Sequence, residues 1–311
     1  MIIYIVRRLV QMIPVLFGVT LLVFSIIRLK GDPVLQLVPD YYTMEQIEAV
    51  RREYGFDRPI YVQYVDFLQR ALRGDFGRSF RNRQPAWTLV QESLPRTLQL
   101  GLTAMGFALL VSVPLGTLSA LWRNSPLDWL VTTVSVGGRA LPSFWLGILL
   151  ILIFAVNLRW VPVSGTGGVA GELPFKYLIL PALTLSTGLI TTFTRLIRSS
   201  MLEVLGENYI TTARAKGLPQ ALVIFRHALR NSLIPVVTVL GLNVGWLLGG
   251  AVIVEQVFAW PGMGRLMIQA IFARDNSIVQ ACLLVTAVTI MMSNLVVDVL
   301  YTVLDPRIRY S

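Results

Sequence analysis

The residues best suited to engaging a partner lie in one polar, helix-prone connection, ENYITTARAKGLPQALVIFRHALRN from Glu207 to Asn231, with apolar runs on both sides. Its centre sets small residues beside basic ones: Ala213, Arg214, Ala215, Lys216, Gly217. Ala213 and Gly217 stand four residues apart, so on a helix they share one face and let another surface approach closely. The pattern predicts a docking surface rather than a simple connector.

Three ionisable residues fall in or beside apolar runs: Arg139, Glu255 and Asp298. Such groups are costly in lipid and face a partner or a wet cavity. Asp298 is read as a structural ion pair or hydrogen bond. Arg139 and Glu255 are candidates for lining a polar pathway, with Asn243 pointing from an otherwise apolar helix toward the same cavity; Glu255 also fits the outer end of its span. The stretch after it, Val257 to Gly264, is an aromatic and glycine-rich bend. Phe258 and Trp260 there serve either as interfacial anchors or as an outer gate. Gly241, Gly245 and Gly249, followed by Gly250, form a stripe at four-residue steps. It suits close helix packing, within one subunit or along an intersubunit or pore-lining seam. His227 is the only histidine and has no second ligand nearby, so no metal site is expected. The chain has no phosphate-binding loop of the G-x-x-x-x-G-K-[ST] type, no HExxH helix and no nucleophile elbow. ATP hydrolysis and enzymatic chemistry therefore have nothing to stand on here.

The elements that position these residues are set by hydropathy. The mean hydropathy is +0.66 over 311 residues, which places the chain in the membrane class. The net charge of +10 is explained by basic residues at the ends of spans rather than by nucleic acid. One cysteine, Cys282, excludes an intramolecular disulfide. Six spans are predicted: Leu9–Ile27, Thr97–Trp122, Trp129–Leu158 (interrupted by Arg139), Tyr177–Thr194, Ser232–Val254 and Ser277–Tyr301. Each has an apolar core of about 18 residues or more, the length a helix needs to cross a bilayer. Arg7, Arg8, Arg123, Arg195, Arg198, Arg214, Lys216, Arg226, Arg230, Arg307 and Arg309 fall on one side, which predicts both termini inside. The segment Lys30–Arg96 is then external. Thr43–Tyr54 is predicted as one helix there, capped by Thr43 with Gln46 in the capping-box position. Ile60–Leu72 is predicted as a second, with Tyr61, Tyr64, Val65 and Leu68 at helical spacing. The expected divisions are 1–29, 30–96 and a core 97–311 whose cytoplasmic loop is 199–231. No internal repeat is visible.

The chain resembles the permease subunits of bacterial ATP-binding-cassette importers, in the dipeptide, oligopeptide, nickel and glutathione branch. The resemblance rests on Val6-Arg7-Arg8, Gly31-Asp32-Pro33, Gly74-Asp75-Phe76-Gly77-Arg78-Ser79, Leu94-Pro95-Arg96-Thr97-Leu98, Pro142-Ser143-Phe144-Trp145-Leu146-Gly147, Val161-Pro162-Val163-Ser164-Gly165, the Glu207–Asn231 loop, Glu255–Gly264 and Asp305-Pro306-Arg307, in that order. It implies an all-α integral membrane protein with the type I importer permease fold, six transmembrane helices and a small helical external segment. It also implies that the loop is the coupling helix, or EAA motif, with Gly217 as its glycine and Ala213 as its second alanine. Thr211 and Thr212 stand where that motif carries Glu and Ala. The ATPase-coupling residues it implies are Glu207, Tyr209, Thr211, Thr212, Ala213, Arg214, Ala215, Lys216, Gly217 and Leu218. The implied partners are a homologous second permease, two ATPase subunits that bind ATP and Mg, an extracytoplasmic substrate-binding protein, and membrane lipid, with no nucleic acid. No cofactor is expected on this chain. The expected place is the bacterial cytoplasmic membrane, multi-pass. The expected cargo is di- or oligopeptide, with nickel or glutathione as alternatives. An ion-coupled secondary transporter is disfavoured by the missing inverted repeat and the scarcity of membrane carboxylates.

Overall fold

The computed structural model describes residues 2–29, 42–53, 55–79, 82–165 and 175–304. The Gly31-Asp32-Pro33 and Asp305-Pro306-Arg307 motifs, Lys30, Tyr54 and Arg309 lie outside them. In chain order the helices are α1 (Ile2–Leu29), α2 (Met44–Glu53), α3 (Ile60–Leu72), α4 (Ala86–Leu121), α5 (Pro126–Ala140) and α6 (Ser143–Leu150). Helix α6 continues into wider π-helical turns over Ile151–Asn157. There follow α7 (Phe175–Leu205), α8 (Asn208–Ala215), α9 (Gln220–Leu222), a second π segment (Val223–Leu229), α10 (Arg230–Ser232), α11 (Ile234–Val257), α12 (Met263–Phe272) and α13 (Asn276–Leu304). Among the described residues, five helices are long and apolar enough to cross a membrane, and six if the bent α5–α6 pair counts as one span. The backbone makes only one isolated β-bridge there, Arg78 with Pro85.

The main departure from the predicted spans is the third. It is not one helix over Trp129–Leu158: α5 and α6 meet at a 106° bend. Leu141 and Pro142 are both extended, at φ −80°, ψ 128° and φ −60°, ψ 136°. Proline disfavours the helical conformation in the residue before it, so the break falls at Leu141–Pro142 and not at Arg139. Helix α5 starts on Ser125, whose Oγ accepts from the Asp128 N–H, with Pro126 at the first helical position, where its missing N–H costs nothing.

The described residues fall into two compact units. One combines the chain up to Arg96 with Gly262–Thr302, and the other is Thr97–Pro261. In the first unit α1 and α3 share an aromatic cluster with α13. Phe24, Phe67 and Leu284 are buried together, the Phe17 and Tyr64 rings meet edge-on at 5.8 Å, and the Tyr64 and Thr20 hydroxyls are 2.9 Å apart. The inward face of α3 is therefore carried by the buried Phe67 and the half-buried Tyr64; Tyr61 and Val65, expected on the same stripe, are exposed. The predicted capping box on α2 is formed, with the Thr43 N–H donating to Gln46 Oε1 at 2.9 Å and the Gln46 N–H to Thr43 Oγ1 at 3.4 Å. A second cluster joins Ala86 and Val90 of α4 to Met263, Ala270, Ile278, Ala281 and Cys282. Beside it, Ser79 Oγ donates to Asp275 Oδ2 at 2.7 Å, while Asp275 Oδ1 accepts from the Ile278 N–H and caps α13. Asp298 pairs with Arg8, Nε to Oδ2 at 3.1 Å, the structural role expected for an acid inside an apolar helix.

The second unit is organised around α7. Of its most apolar stretch, 61% is buried, the largest share among the described candidate spans, so α7 is the hub of this unit. Its 31 residues span about 46 Å at 1.5 Å each, well beyond the roughly 30 Å of a hydrocarbon core. Leu185, Leu189, Phe193, Ile197 and Met201 form its buried stripe. At Gly116 of α4 the two helices approach so closely that a Cβ would stand 2.8 Å from the Thr194 carbonyl oxygen and 2.8 Å from Ile197 Cβ.

Candidate coupling surface and buried polar contacts

Helix α8 is short and amphipathic in a way that separates anchoring from display. Ile210 and Ala213, three residues apart, point inward at 0% and 8% exposure, joining the core stripe of α7. Glu207 occupies the N-cap position without a side-chain cap bond. Tyr209, Thr211, Thr212, Arg214, Ala215 and Lys216 are on the surface. The Tyr209 hydroxyl accepts from Asn231 Nδ2 at 2.8 Å, and Asn231 also donates to the His227 carbonyl. Both ends of the Glu207–Asn231 connection are thereby held together.

The end of α8 corrects the expectation that Ala213 and Gly217 share a helical face. The Leu218 N–H reaches back to the Ala213 carbonyl at 3.4 Å and the Gly217 N–H to the Arg214 carbonyl at 2.9 Å. This is a Schellman ending, with Lys216 as C-cap and Gly217 just beyond it at φ +74°. Gly217 stops the helix; it does not extend its face. Leu218, half-buried, packs back toward the core, and Pro219, extended at φ −55°, ψ 138°, stands directly before α9. Nothing lies within 4 Å of where a Gly217 Cβ would stand. The surface around it is open.

The candidate pathway residues are distributed differently. Arg139 lies in α5, and its side chain is outside the described ones. Glu255 has no exposure and accepts from Thr97 Oγ1 at 2.6 Å, so it serves as an internal tie between α4 and α11 rather than lining an open wall. Asn243 is half-buried and donates to the Val239 carbonyl of its own helix at 2.7 Å. Phe258 and Trp260, expected at an outer opening, are 2% and 0% exposed and belong to the core cluster of this unit. A Cβ on Gly147 would stand 3.1 Å from the Phe258 ring, and Phe258 also accepts from the Gly165 N–H. Their burial makes the bend a packed corner. Gly249 of the glycine stripe faces open space. Among the described residues, no three His, Cys, Asp or Glu side chains converge as metal ligands.

An open cleft of about 590 Å³ lies among Thr132, Thr192, Arg195, Leu196, Arg198, Ser199 and Val239, with neither Asn243 nor Glu255 on its wall. Arg198 also makes a bond pair missed in the sequence. Its Nε and Nη2 donate to the two carboxylate oxygens of Asp128 at 2.7 Å each, and Ser119 Oγ donates to the same carboxylate. The available signal was Ser125-Pro126-Leu127-Asp128, a capping-box pattern at the start of α5; it marks Asp128 as a helix-start residue but says nothing of its distant partners.

One prediction follows from the Glu255 tie. Thr97→Val removes the donor and leaves a buried carboxylate oxygen short of one partner, at a cost of about 1–3 kcal/mol. Thermal denaturation of the detergent-solubilised chain is expected to show a lower midpoint than wild type, with Thr97→Ser close to wild type.

Comparison with known proteins supports one assignment along the whole length. The family described as "Binding-protein-dependent transport system inner membrane component" matches residues 112–310, and its N-terminal companion matches residues 1–101. Full-length relatives include the oligopeptide transport system permease protein AppB of Bacillus subtilis, 41% identical over 99% of each chain. The di/tripeptide transport system permease protein DppB of Pseudomonas aeruginosa is 43% identical, also over 99% of each. The glutathione transport system permease protein GsiC of Escherichia coli K12 is 40% identical over 99% of each. Among solved structures, an inward-facing MetNI methionine ABC transporter chain superposes with a TM-score of 0.59 at 17% identity, covering 70% of this chain and 96% of that one; at that identity the likeness speaks for the fold alone. The protein belongs to the family of binding-protein-dependent transport system inner-membrane components.

Proposed function

We propose that this chain is the transmembrane permease subunit of an ATP-binding-cassette importer for di- and oligopeptides. The observation that carries the reading is the full-length identity of 41% and 43% to an oligopeptide and a di/tripeptide permease. In this reading the chain forms half of the pathway and a homologous, distinct permease forms the other half. A substrate-binding protein delivers cargo outside, and two ATPase subunits carry ATP and Mg inside. Both termini lie in the cytoplasm, in line with the bias of Arg and Lys along the chain.

The energy enters through α8. Its inward residues Ile210 and Ala213 tie it to the core, and its outward residues Glu207, Tyr209, Thr211, Thr212, Arg214, Ala215, Lys216 and Gly217 seat in a groove of an ATPase subunit. When the ATPases close on ATP, the groove moves and α8 moves with it as a rigid body. The protein does no bond chemistry; it converts a displacement into a change of access. In the same reading, the open cleft along α5, α7 and α11, lined by Arg195 and Arg198, contributes to the wall that the solute passes.

A glutathione importer is the second reading, supported by the 40% identity to the glutathione permease. Uptake by membrane vesicles containing the assembled complex separates the cargoes. Radiolabelled dipeptide is expected to accumulate with ATP inside, to be displaced by unlabelled peptides, and to be unaffected by excess glutathione or nickel ion. Preferential uptake of glutathione or nickel overturns the peptide assignment, and failure to co-purify with an ATPase overturns the importer reading.

A further inference from the structure

The connection between the ATPase-facing helix and the spans is stiff at one end. Helix α7 passes into α8 through Gly206 and Glu207 alone, and both turn back by hydrogen bonds to α7, onto the Glu203 and Val204 carbonyls at 3.0 Å and 3.1 Å. Ile210 and Ala213 of α8 share one core cluster with Ile197 and Met201 of α7. A displacement of α8 must therefore carry the end of α7 with it.

Seven residues before the end of that helix, about 10 Å along its axis, Arg198 makes its planar two-point bond to Asp128. Asp128 is 4% exposed. Its carboxylate takes four donors: two from Arg198, the hydroxyl of Ser119 on α4, and the Asn124 N–H at 3.0 Å in the α4–α5 turn. One carboxylate thus holds α4, α5 and α7 together. One turn away along α4, Gly116 lets the α4 and α7 backbones close up, so apolar contact and polar bonds reinforce each other. A bidentate guanidinium–carboxylate pair fixes orientation as well as distance. Separation is opposed chiefly on the Asp128 side, where the buried carboxylate would lose its partner, while Arg198 stays partly exposed to the cleft.

We infer that Asp128, Arg198 and Ser119 form a rigid joint that transmits the displacement of α8 into α4 and α5, and that they act as positioning residues for energy coupling. This rests on the permease reading. Arg198 also lines the open cleft, so tilting the joint moves a wall of the surface assigned to the solute. A simple structural staple would need the same contacts for assembly but would leave the efficiency of assembled complexes unchanged.

The test uses the complete complex, with its ATPase subunits and binding protein, in proteoliposomes, and reads peptide imported per ATP hydrolysed. Asp128→Asn is expected to lower this ratio about threefold to tenfold, the size of effect typical of residues along a coupling route. Ser119→Ala is expected to lower it in the same direction, and Ser119→Thr, which keeps the hydroxyl, to restore it. An unchanged ratio in assembled Asp128→Asn complexes overturns the inference. Should that variant fail to assemble, an unchanged ratio in Ser119→Ala overturns it. A wild-type complex showing neither uptake nor hydrolysis stimulated by the binding protein removes the permease reading itself, which keeps the two failures distinct.

Discussion

Gly116→Leu is expected to abolish accumulation of the folded chain in the membrane, while Gly106→Leu in the same helix is tolerated. The two glycines are ten residues apart on α4 and differ only in what a side chain would meet. At Gly116 the first added carbon stands 2.8 Å from the Thr194 carbonyl oxygen and 2.8 Å from Ile197 Cβ; at Gly106 nothing lies within 4 Å. The Thr194 oxygen is backbone on the central helix and cannot rotate away, so α4 and α7 must separate. Overpacking of this kind costs about 1–3 kcal/mol and occasionally more, and here it also pulls apart the bonds of Ser119 and Arg198 to Asp128, one turn further on. Membrane levels by immunoblot, and recovery of the chain after mild detergent extraction, read the outcome. Equal levels for the two variants would mean that the α4–α7 contact does not organise the second unit.

Gly217→Val is expected to leave insertion and membrane level intact but to lower binding-protein-stimulated ATP hydrolysis and uptake together, about 5- to 30-fold. The physical cause is backbone conformation. At φ +74° a residue with a Cβ pays about 1–2 kcal/mol, and a β-branched side chain fits that region worst. Relief comes by unwinding the end of α8, which misplaces the Arg214, Ala215 and Lys216 surface. Gly217→Asn separates two explanations, because asparagine tolerates the left-handed conformation. Near-normal activity in that variant assigns the glycine to the turn. Activity as low as in Gly217→Val assigns it to close approach of the ATPase groove. Normal stimulation and uptake in both variants would remove α8 from the coupling step.

Much of the fold is legible along the chain because its causes are local. The apolar runs give the spans, Thr43 and Gln46 start α2 with their own side chains, and Ile60–Leu72 is a helix with the predicted bounds. The broken third span is also written in the sequence, at Pro142 rather than at the charge of Arg139. Proline acts on backbone geometry directly, whereas a charge in an apolar run only raises the question of its partner. On α3 the periodicity identifies a helix but misassigns its stripe, since Tyr61 and Val65 lie at helical spacing yet are exposed among the described residues, while Phe67 is buried.

Hydropathy, caps and the ordered motifs by themselves determined the membrane class, the approximate spans, the family resemblance and the place of the docking helix. Each depends on the identity of neighbouring residues and on the length a bilayer imposes. The tertiary structure alone decided which polar groups meet. Along the sequence Glu255 fits a pathway wall or the outer end of its span, and Trp260 an interfacial anchor or an outer gate; packing encloses both. The pairing of Asp128 has no local signature, because its partners Ser119 and Arg198 lie 9 and 70 residues away. Gly217 changed from a contact on a helical face to the residue that ends the helix, because its φ is set by the Schellman bonds around it. Pairings across a chain arise from helix packing, and packing is settled by surfaces that no short stretch of sequence contains.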